Sequence, residues 1–254
     1  ISFMLAPHAP YTVSDNTFER IASLAAQTNL GIHLHVHETE FEVEQSLKQY
    51  GERPLARLER LGILGPQTLA VHAVALNDED IAMLAQHNVH IAHCPTANLK
   101  LGSGMARSVA LQEAGINIGL GTDGAAGNNR LDLLAEARLA GLLAKGLHQD
   151  AAKMPVHQLI HMATLGGARA LGLDQRIGSL VPGKAADLCA ITLDSPATLP
   201  VFDPASQIIY AAGREHVTDV WVDGQCVVKK KQLTRISQEE IGVKAKTWHN
   251  RYRG

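Results

Sequence analysis

Between residues 31 and 38 the chain reads Gly-Ile-His-Leu-His-Val-His-Glu, with apolar and polar positions alternating at a period of two. That is the period of a β-strand, and it predicts His33, His35 and His37 on one face with Leu34 and Val36 on the other. A helix is disfavoured because the run is short, alternating and opened by a glycine. The same pattern recurs down the chain, interleaved with segments of helical period. Residues 1–7 read as a strand entering a loop that carries His8. The cluster Ser14-Asp15-Asn16, with Glu19 three residues beyond Asn16, predicts a helix start. Further helices are expected over 40–50, 54–61, 78–87 and 108–114. Further strands are expected over 68–72, 89–93 and 116–121, with a loop over 94–98.

Five strands separated by helices are the βα repeat that builds a parallel sheet. In such sheets chemistry gathers at the carboxyl ends of the strands. His8, His35, His72, Asn98 and Asp123 each fall at or just beyond one of those ends. Five strands do not close an eight-stranded barrel, so about three more are expected ahead of Ile1. The chain starts at Ile1 without methionine and reads as a piece of something longer. After two long Ala/Leu-rich helices over 131–147 and 155–171, the pattern turns to short strands between Gly/Pro turns, over 178–181, 187–193, 217–222 and 225–228. The expected division is 1–176 for the βα part, 177–235 for a small β segment, and 236–254 for a terminal helix and tail. The basic run Lys229-Lys230-Lys231 reads as a solvated turn.

Composition narrows the class. The 254 residues are 46% hydrophobic and 19% charged, the profile of a globular chain with a large core. A net charge of −2 gives no general attraction to nucleic acid or anionic membrane. No apolar run approaches the roughly 20 residues that span a bilayer, and no signal-peptide pattern is present. The three scattered cysteines, with no Cys-x-x-Cys pair, fit a reducing, cytoplasmic setting and argue against thiolate zinc sites. The 13 histidines are the outlier, about twice ordinary usage.

Histidine is the commonest side-chain metal ligand. A metal hydrolase needs ligands for one cation, a group that moves protons, and an open position for water. His35 and Asp123 are the best ligand candidates. Asp123 lies in Gly121-Thr122-Asp123-Gly124, where glycine permits close approach of the backbone. Glu38, three residues after His35, is placed to act as general acid and base over the same mouth. Blander roles compete for each: Asp123 as a turn cap and Glu38 as a helix cap. Their coincidence with His35 and His72 favours chemistry.

Together, Ala6-Pro7-His8-Ala9-Pro10-Tyr11, His35-Val36-His37-Glu38, Ala70-Val71-His72, His93-Cys94-Pro95-Thr96-Ala97-Asn98-Leu99-Lys100-Leu101 and Gly121-Thr122-Asp123-Gly124 resemble the amidohydrolase superfamily in order and approximate spacing. The nearest branch is that of the methylthioadenosine/S-adenosylhomocysteine deaminases, with the triazine chlorohydrolases nearby. The segments 163–172 and 177–188 resemble the family's passage from barrel to small β domain.

The resemblance implies an α/β fold: a (β/α)8 TIM-type barrel, of which strands four to eight are present, with a small β-sandwich domain partly built from the C-terminal segment. It implies His35 and Asp123 as metal ligands, Glu38 as the proton shuttle to the ring nitrogen, and His72 as the residue orienting the hydrolytic water. His8 and Asn98, with Glu38, would contact substrate. His33 and His37 would line or support the site, and His93 and Cys94 would pack beneath the Asn98 loop. The implied cofactor is one divalent metal, zinc first and iron second. The implied reaction is hydrolytic deamination of an adenine-type nucleoside, with hydroxide attacking C6, Asp123 relaying a proton and Glu38 protonating N1. Its alternatives are guanine deamination, dechlorination of a triazine, or an inactive fragment. The implied partners are a small heteroaromatic substrate and a second copy in a homodimer, with neither nucleic acid nor membrane. One departure stands out: the family's first-strand His-x-His ligand pair has no counterpart before His8.

Overall fold

The structure is a computed structural model that describes residues 1–253. The last residue of the expected tail, Gly254, lies outside the described residues. Two compact units are present, Ile1–Gly178 and a second beginning at Ser179.

The first unit follows the βα alternation: β1 (Met4–Leu5), α1 (Asp15–Thr28), β2 (Gly31–Val36), α2 (Glu40–Tyr50), α3 (Pro54–Arg60), β3 (Thr68–His72), α4 (Asp78–Gln86), β4 (His90–His93), α5 (Pro95–Lys100), α6 (Ser108–Glu113), β5 (Ile118–Leu120), α7 (Leu133–His148), α8 (Val156–His161), a π-helical turn (Met162–Gly166) and α9 (Gly167–Ala170). The five strands are parallel and lie side by side in chain order. Leu34, Val36, Ile91 and Ile118 turn into the buried layer beneath the helices. The register sets His35 beside Val71 and Val36 beside His72, so the strand ends that carry histidine finish level.

Local chemistry explains most boundaries. Ser14, the first residue of the expected capping cluster, caps α1 by accepting from the Thr17 N–H. Asn77 and Asp80 close a reciprocal capping box on α4. Residues 94–98, expected as a loop, run into α5, because Pro95 supplies a ready-made first helical residue. Arg57, fully buried, donates to the Pro10 and Val13 carbonyls and pairs with Asp15, which ties the loop after His8 to α3. Its guanidinium also lies 3.9 Å from the Tyr50 ring centroid.

The long helix expected over 155–171 is continuous but carries the π-helical turn. A Cβ on Gly166 would sit 2.5 Å from the Ile118 carbonyl oxygen, so this glycine allows the helix to press on β5. Asn117 donates to the Gly166 carbonyl at 2.9 Å, occupying an acceptor at the bulge.

The second unit holds β6 (Leu188–Ile191), α10 (Pro204–Tyr210), a 3-10 turn (Arg214–His216), β7 (Val217–Val222), β8 (Gln225–Lys229), β9 (Gln232–Leu233) and α11 (Gln238–Arg253). Its strands form one antiparallel sheet in the order β6-β7-β8-β9. The described residues thus supply one sheet toward a sandwich that was expected to be only partly built from this segment. Residues 178–181, expected as a strand, form none, since the Val181–Pro182–Gly183 stretch turns instead. The helix α10 was not foreseen; Asp203 caps it and Pro204 opens it. The lysine run is a turn, with Lys230 and Lys231 at positive φ and the Lys230 N–H held by Asp219.

Candidate active site

Three polar residues at strand ends leave ordinary backbone geometry together. His37, His72 and Asp123 have φ of 52°, 72° and 58°. Left-handed backbone at a non-glycine residue costs on the order of 1–3 kcal/mol and gathers where a structure needs a side chain re-aimed. At His37 the consequence is a correction. The strand ends at Val36, so His37 does not continue the His33/His35 face. It swings into the protein and is fully buried, where Nδ1 meets the Ala75 carbonyl at 2.9 Å and Nε2 accepts the Leu55 N–H at 3.1 Å. Both ring nitrogens are thus taken by backbone. Burial pushes its pKa below the ordinary histidine value, with Asp80 opposing from 3.7 Å. The Arg53 guanidinium bridges Asp80 and the same Ala75 carbonyl. His37 therefore fastens the ends of β2 and β3 to α3 and is not placed to ligate metal.

His33 and His35 remain on the open face, in a cleft of about 410 Å³ lined also by Val71, Cys94 and Asp123. Burial and the neighbouring His35 depress the pKa of His33. The Nδ1 of His35 meets the His8 carbonyl oxygen at 2.9 Å. A carbonyl only accepts, so Nδ1 carries the hydrogen and Nε2 keeps its lone pair. His72, 1% exposed, stacks on His35 with ring centroids 5.2 Å apart. The ligating atoms of His35, His72 and Asp123 all lie within 4.8 Å of one another. The fold thus sets His72, expected from sequence to orient the water, beside the expected ligand pair. Two imidazoles and one carboxylate around an open position are a donor set that suits catalytic zinc. A backbone carbonyl holding the second nitrogen is the usual outer support of a ligating histidine. The residues present fit the metal.

Glu38 closes the group. One oxygen, Oε2, lies 3.8 Å from His72 Nε2, and the other accepts the Ser103 hydroxyl at 3.0 Å. Its peptide is gripped by Glu42, whose carboxylate takes the His37 and Glu38 N–H groups at 3.1 and 2.8 Å. Burial lifts the Glu42 pKa to about 7 against those hydrogen bonds. The cap of α2 is Thr39, so Glu38 is not spent on capping. Sequence reasoning missed both Glu42 and Ser103. Thr39-Glu40-Phe41-Glu42 is a capping-box pattern and could have drawn attention to Glu42; Ser103 has no local signal.

His8 sits beside His35, centroids 5.3 Å apart, with Nδ1 2.8 Å from the Thr12 hydroxyl. Asn98 is 1% exposed and reaches the site through His72, its Oδ1 2.8 Å from His72 Nδ1. His93 is buried and its pKa is pushed down to about 4 by that burial, with His72 adding to the fall. Cys94 packs with Val71 and Ala97, and burial drives its thiol up to about 12, the state of an inert core thiol. A Cβ on Gly127 would fall 2.6 Å from an Asp123 oxygen, so glycine there lets the loop fold over the carboxylate.

Residues 1–227 match the family model described as the amidohydrolase family. The chain belongs to this family. It is 45% identical over 251 residues to the 5-methylthioadenosine/S-adenosylhomocysteine deaminase of Teredinibacter turnerae, covering 99% of this chain and 57% of that protein. It is 44% identical to the like-named protein of Moorella thermoacetica, covering 95% and 56%. Among solved structures, an adenosine deaminase from Xanthomonas campestris with bound zinc superposes with a TM-score of 0.96 at 46% identity, over 98% of this chain and 57% of that one. Atrazine chlorohydrolase TrzN from Arthrobacter aurescens, complexed with zinc, gives 0.91 at 30% identity over 96% and 54%. The chain spans a little over half the length of the relatives it matches.

Proposed function

We propose that this chain carries the metal-dependent half-site of a hydrolytic deaminase acting on adenine-type nucleosides such as 5′-methylthioadenosine, S-adenosylhomocysteine or adenosine. The observation that carries the reading is the convergence of His35, His72 and Asp123 within 4.8 Å, with the Glu38 carboxylate beside them. The relatives named above support the substrate class. The reading also includes a closed (β/α)8 barrel to which the five parallel strands contribute, a homodimer, and a cytoplasmic setting consistent with three free thiols. No helix among the described residues is long and apolar enough to cross a membrane.

His35 and Asp123 would hold the metal, zinc by preference, with His72 beside them and its Nε2 left to the water. A cation bound there supplies a Lewis-acid centre and makes water nucleophilic near neutral pH. Asp123 accepts a proton from the attacking water on its carboxylate. His72 orients that water toward C6. Glu38 delivers a proton from its carboxyl group to N1 and takes one back from the new C6 hydroxyl, while Asp123 passes its proton to the amino nitrogen, the C6–N bond breaks and ammonia leaves. His8 and Glu38 face the substrate, and Asn98 belongs to the set through His72.

A second reading, displacement of chloride from a triazine, draws on the likeness to the atrazine chlorohydrolase. Ammonia and chloride release from 5′-methylthioadenosine, adenosine, guanine and a chlorotriazine, measured side by side with zinc content, tests both. Ammonia from the adenine nucleosides with near-stoichiometric zinc is the expected result. Chloride release without ammonia would favour the second reading. A protein that neither binds zinc nor turns over any of the four overturns the catalytic reading.

A further inference from the structure

Asn98 and Ser103 lie on one short stretch, the end of α5 and the turn after it, and each touches a different proton-handling side chain. Asn98 Oδ1 meets His72 Nδ1 at 2.8 Å, with both side chains buried. Ser103 Oγ donates to Glu38 Oε1 at 3.0 Å. The two are locked to one another, because the Ser103 N–H donates to the Asn98 carbonyl at 2.8 Å. His72 stands at the end of β3 and Glu38 just beyond β2, so one stretch following β4 holds groups from two other strands.

We infer that residues 98–103 are a positioning latch: Asn98 selects the tautomer of His72, and Ser103 selects which oxygen of Glu38 carries the proton. The inference rests on the proposed roles of those two side chains. An amide oxygen only accepts, so the hydrogen of neutral His72 sits on Nδ1, and Nε2 presents its lone pair to His35, Asp123 and Glu38. The opposite amide orientation would put the hydrogen on Nε2 and spoil that lone pair. The Asn98 Nδ2 is buried without a hydrogen-bond partner, so the contact with His72 is the one the amide makes through its side chain among the described residues. With Oε1 of Glu38 occupied by Ser103 and its peptide N–H by Glu42, Oε2 is the oxygen left to move a proton. That oxygen is the one 3.8 Å from His72 Nε2.

Two readouts test the latch. Nitrogen-15 NMR of the histidine rings in the zinc-free protein should show His72 as the Nδ1–H tautomer. Asn98→Asp should keep that tautomer, and Asn98→Leu should lose it while thermal unfolding remains cooperative. In kinetics, Ser103→Ala should lower kcat roughly tenfold with KM nearly unchanged, the loss of one charge-assisted hydrogen bond. Ser103→Thr, which keeps the hydroxyl, should restore most of it. An Nε2–H His72 in the unaltered protein, or undiminished kcat in Ser103→Ala, would overturn the latch. If the NMR result holds but no substrate is turned over, the functional reading fails and the tautomer assignment stands. Should Asn98→Leu not fold, the unaltered protein and Asn98→Asp still decide.

Discussion

The backbone carbonyl of His8 receives two hydrogens from one residue, the N–H of His35 at 3.1 Å and its ring Nδ1 at 2.9 Å. That double contact fixes ring orientation and tautomer at once, leaving Nε2 to face His72 and Asp123 before any cation arrives. Outer support of this kind governs affinity strongly in metal sites.

Replacing His35 by Ala should therefore cut zinc occupancy at least tenfold, as should Asp123→Asn, while leaving the helical circular dichroism signal unchanged. Equilibrium dialysis followed by elemental analysis checks this. Full zinc binding in both variants would show that the cluster is not the site.

Glu38→Gln keeps the shape and the Ser103 contact but removes the transferable proton. Turnover should fall by about 10²–10⁴, the usual contribution of a general acid–base group, with metal content intact. Turnover equal to the unaltered protein's would remove Glu38 from the chemistry.

His37→Phe leaves the Leu55 N–H without its buried partner, while the Ala75 carbonyl keeps only the Arg53 guanidinium. One stranded buried group costs about 1–3 kcal/mol, so a loss of that size is expected in a urea titration. A ligating role would instead show as zinc loss without that destabilisation.

Glu42 and His93 make opposite predictions for pH. The folded pKa of Glu42 lies near 7, above its ordinary 4.5, so the folded state holds a proton the unfolded state has lost, and stability from this residue falls as pH rises from about 4.5 to 7. His93 is neutral in the fold down to about 4 and protonates near 6.5 when unfolded, so its contribution rises with pH over nearly the same window. Each swing is on the order of 3 kcal/mol, and the two largely cancel. The intact protein should thus vary little from these two groups, Glu42→Gln should gain stability from pH 4 to 6.5, and His93→Asn should lose it. Parallel slopes in the two variants, by urea unfolding at several pH values, would refute the assignment.

Much of the site was legible in local pattern. Alternation marked β2, and the βα rhythm put His8, His35, His72, Asn98 and Asp123 at strand ends, where the parallel sheet presents them. What periodicity could not reveal is a departure from it. His37 obeys the alternation on paper, yet a positive φ after Val36 takes it out of the strand, and that backbone choice is enforced by Ala75 and Leu55, distant in sequence. Ser103 was invisible for a similar reason, since its one telling contact is with a residue 65 positions away.

Sequence by itself determined the strand ends, the residue types gathered there and the family they resemble, because these follow from period, turn chemistry and motif order. Tertiary structure decided which histidines face the open cleft, which tautomer His35 adopts, and that His72 joins His35 and Asp123. Those outcomes depend on hydrogen bonds between segments tens of residues apart, and on left-handed backbone that only the assembled strand ends can hold in place.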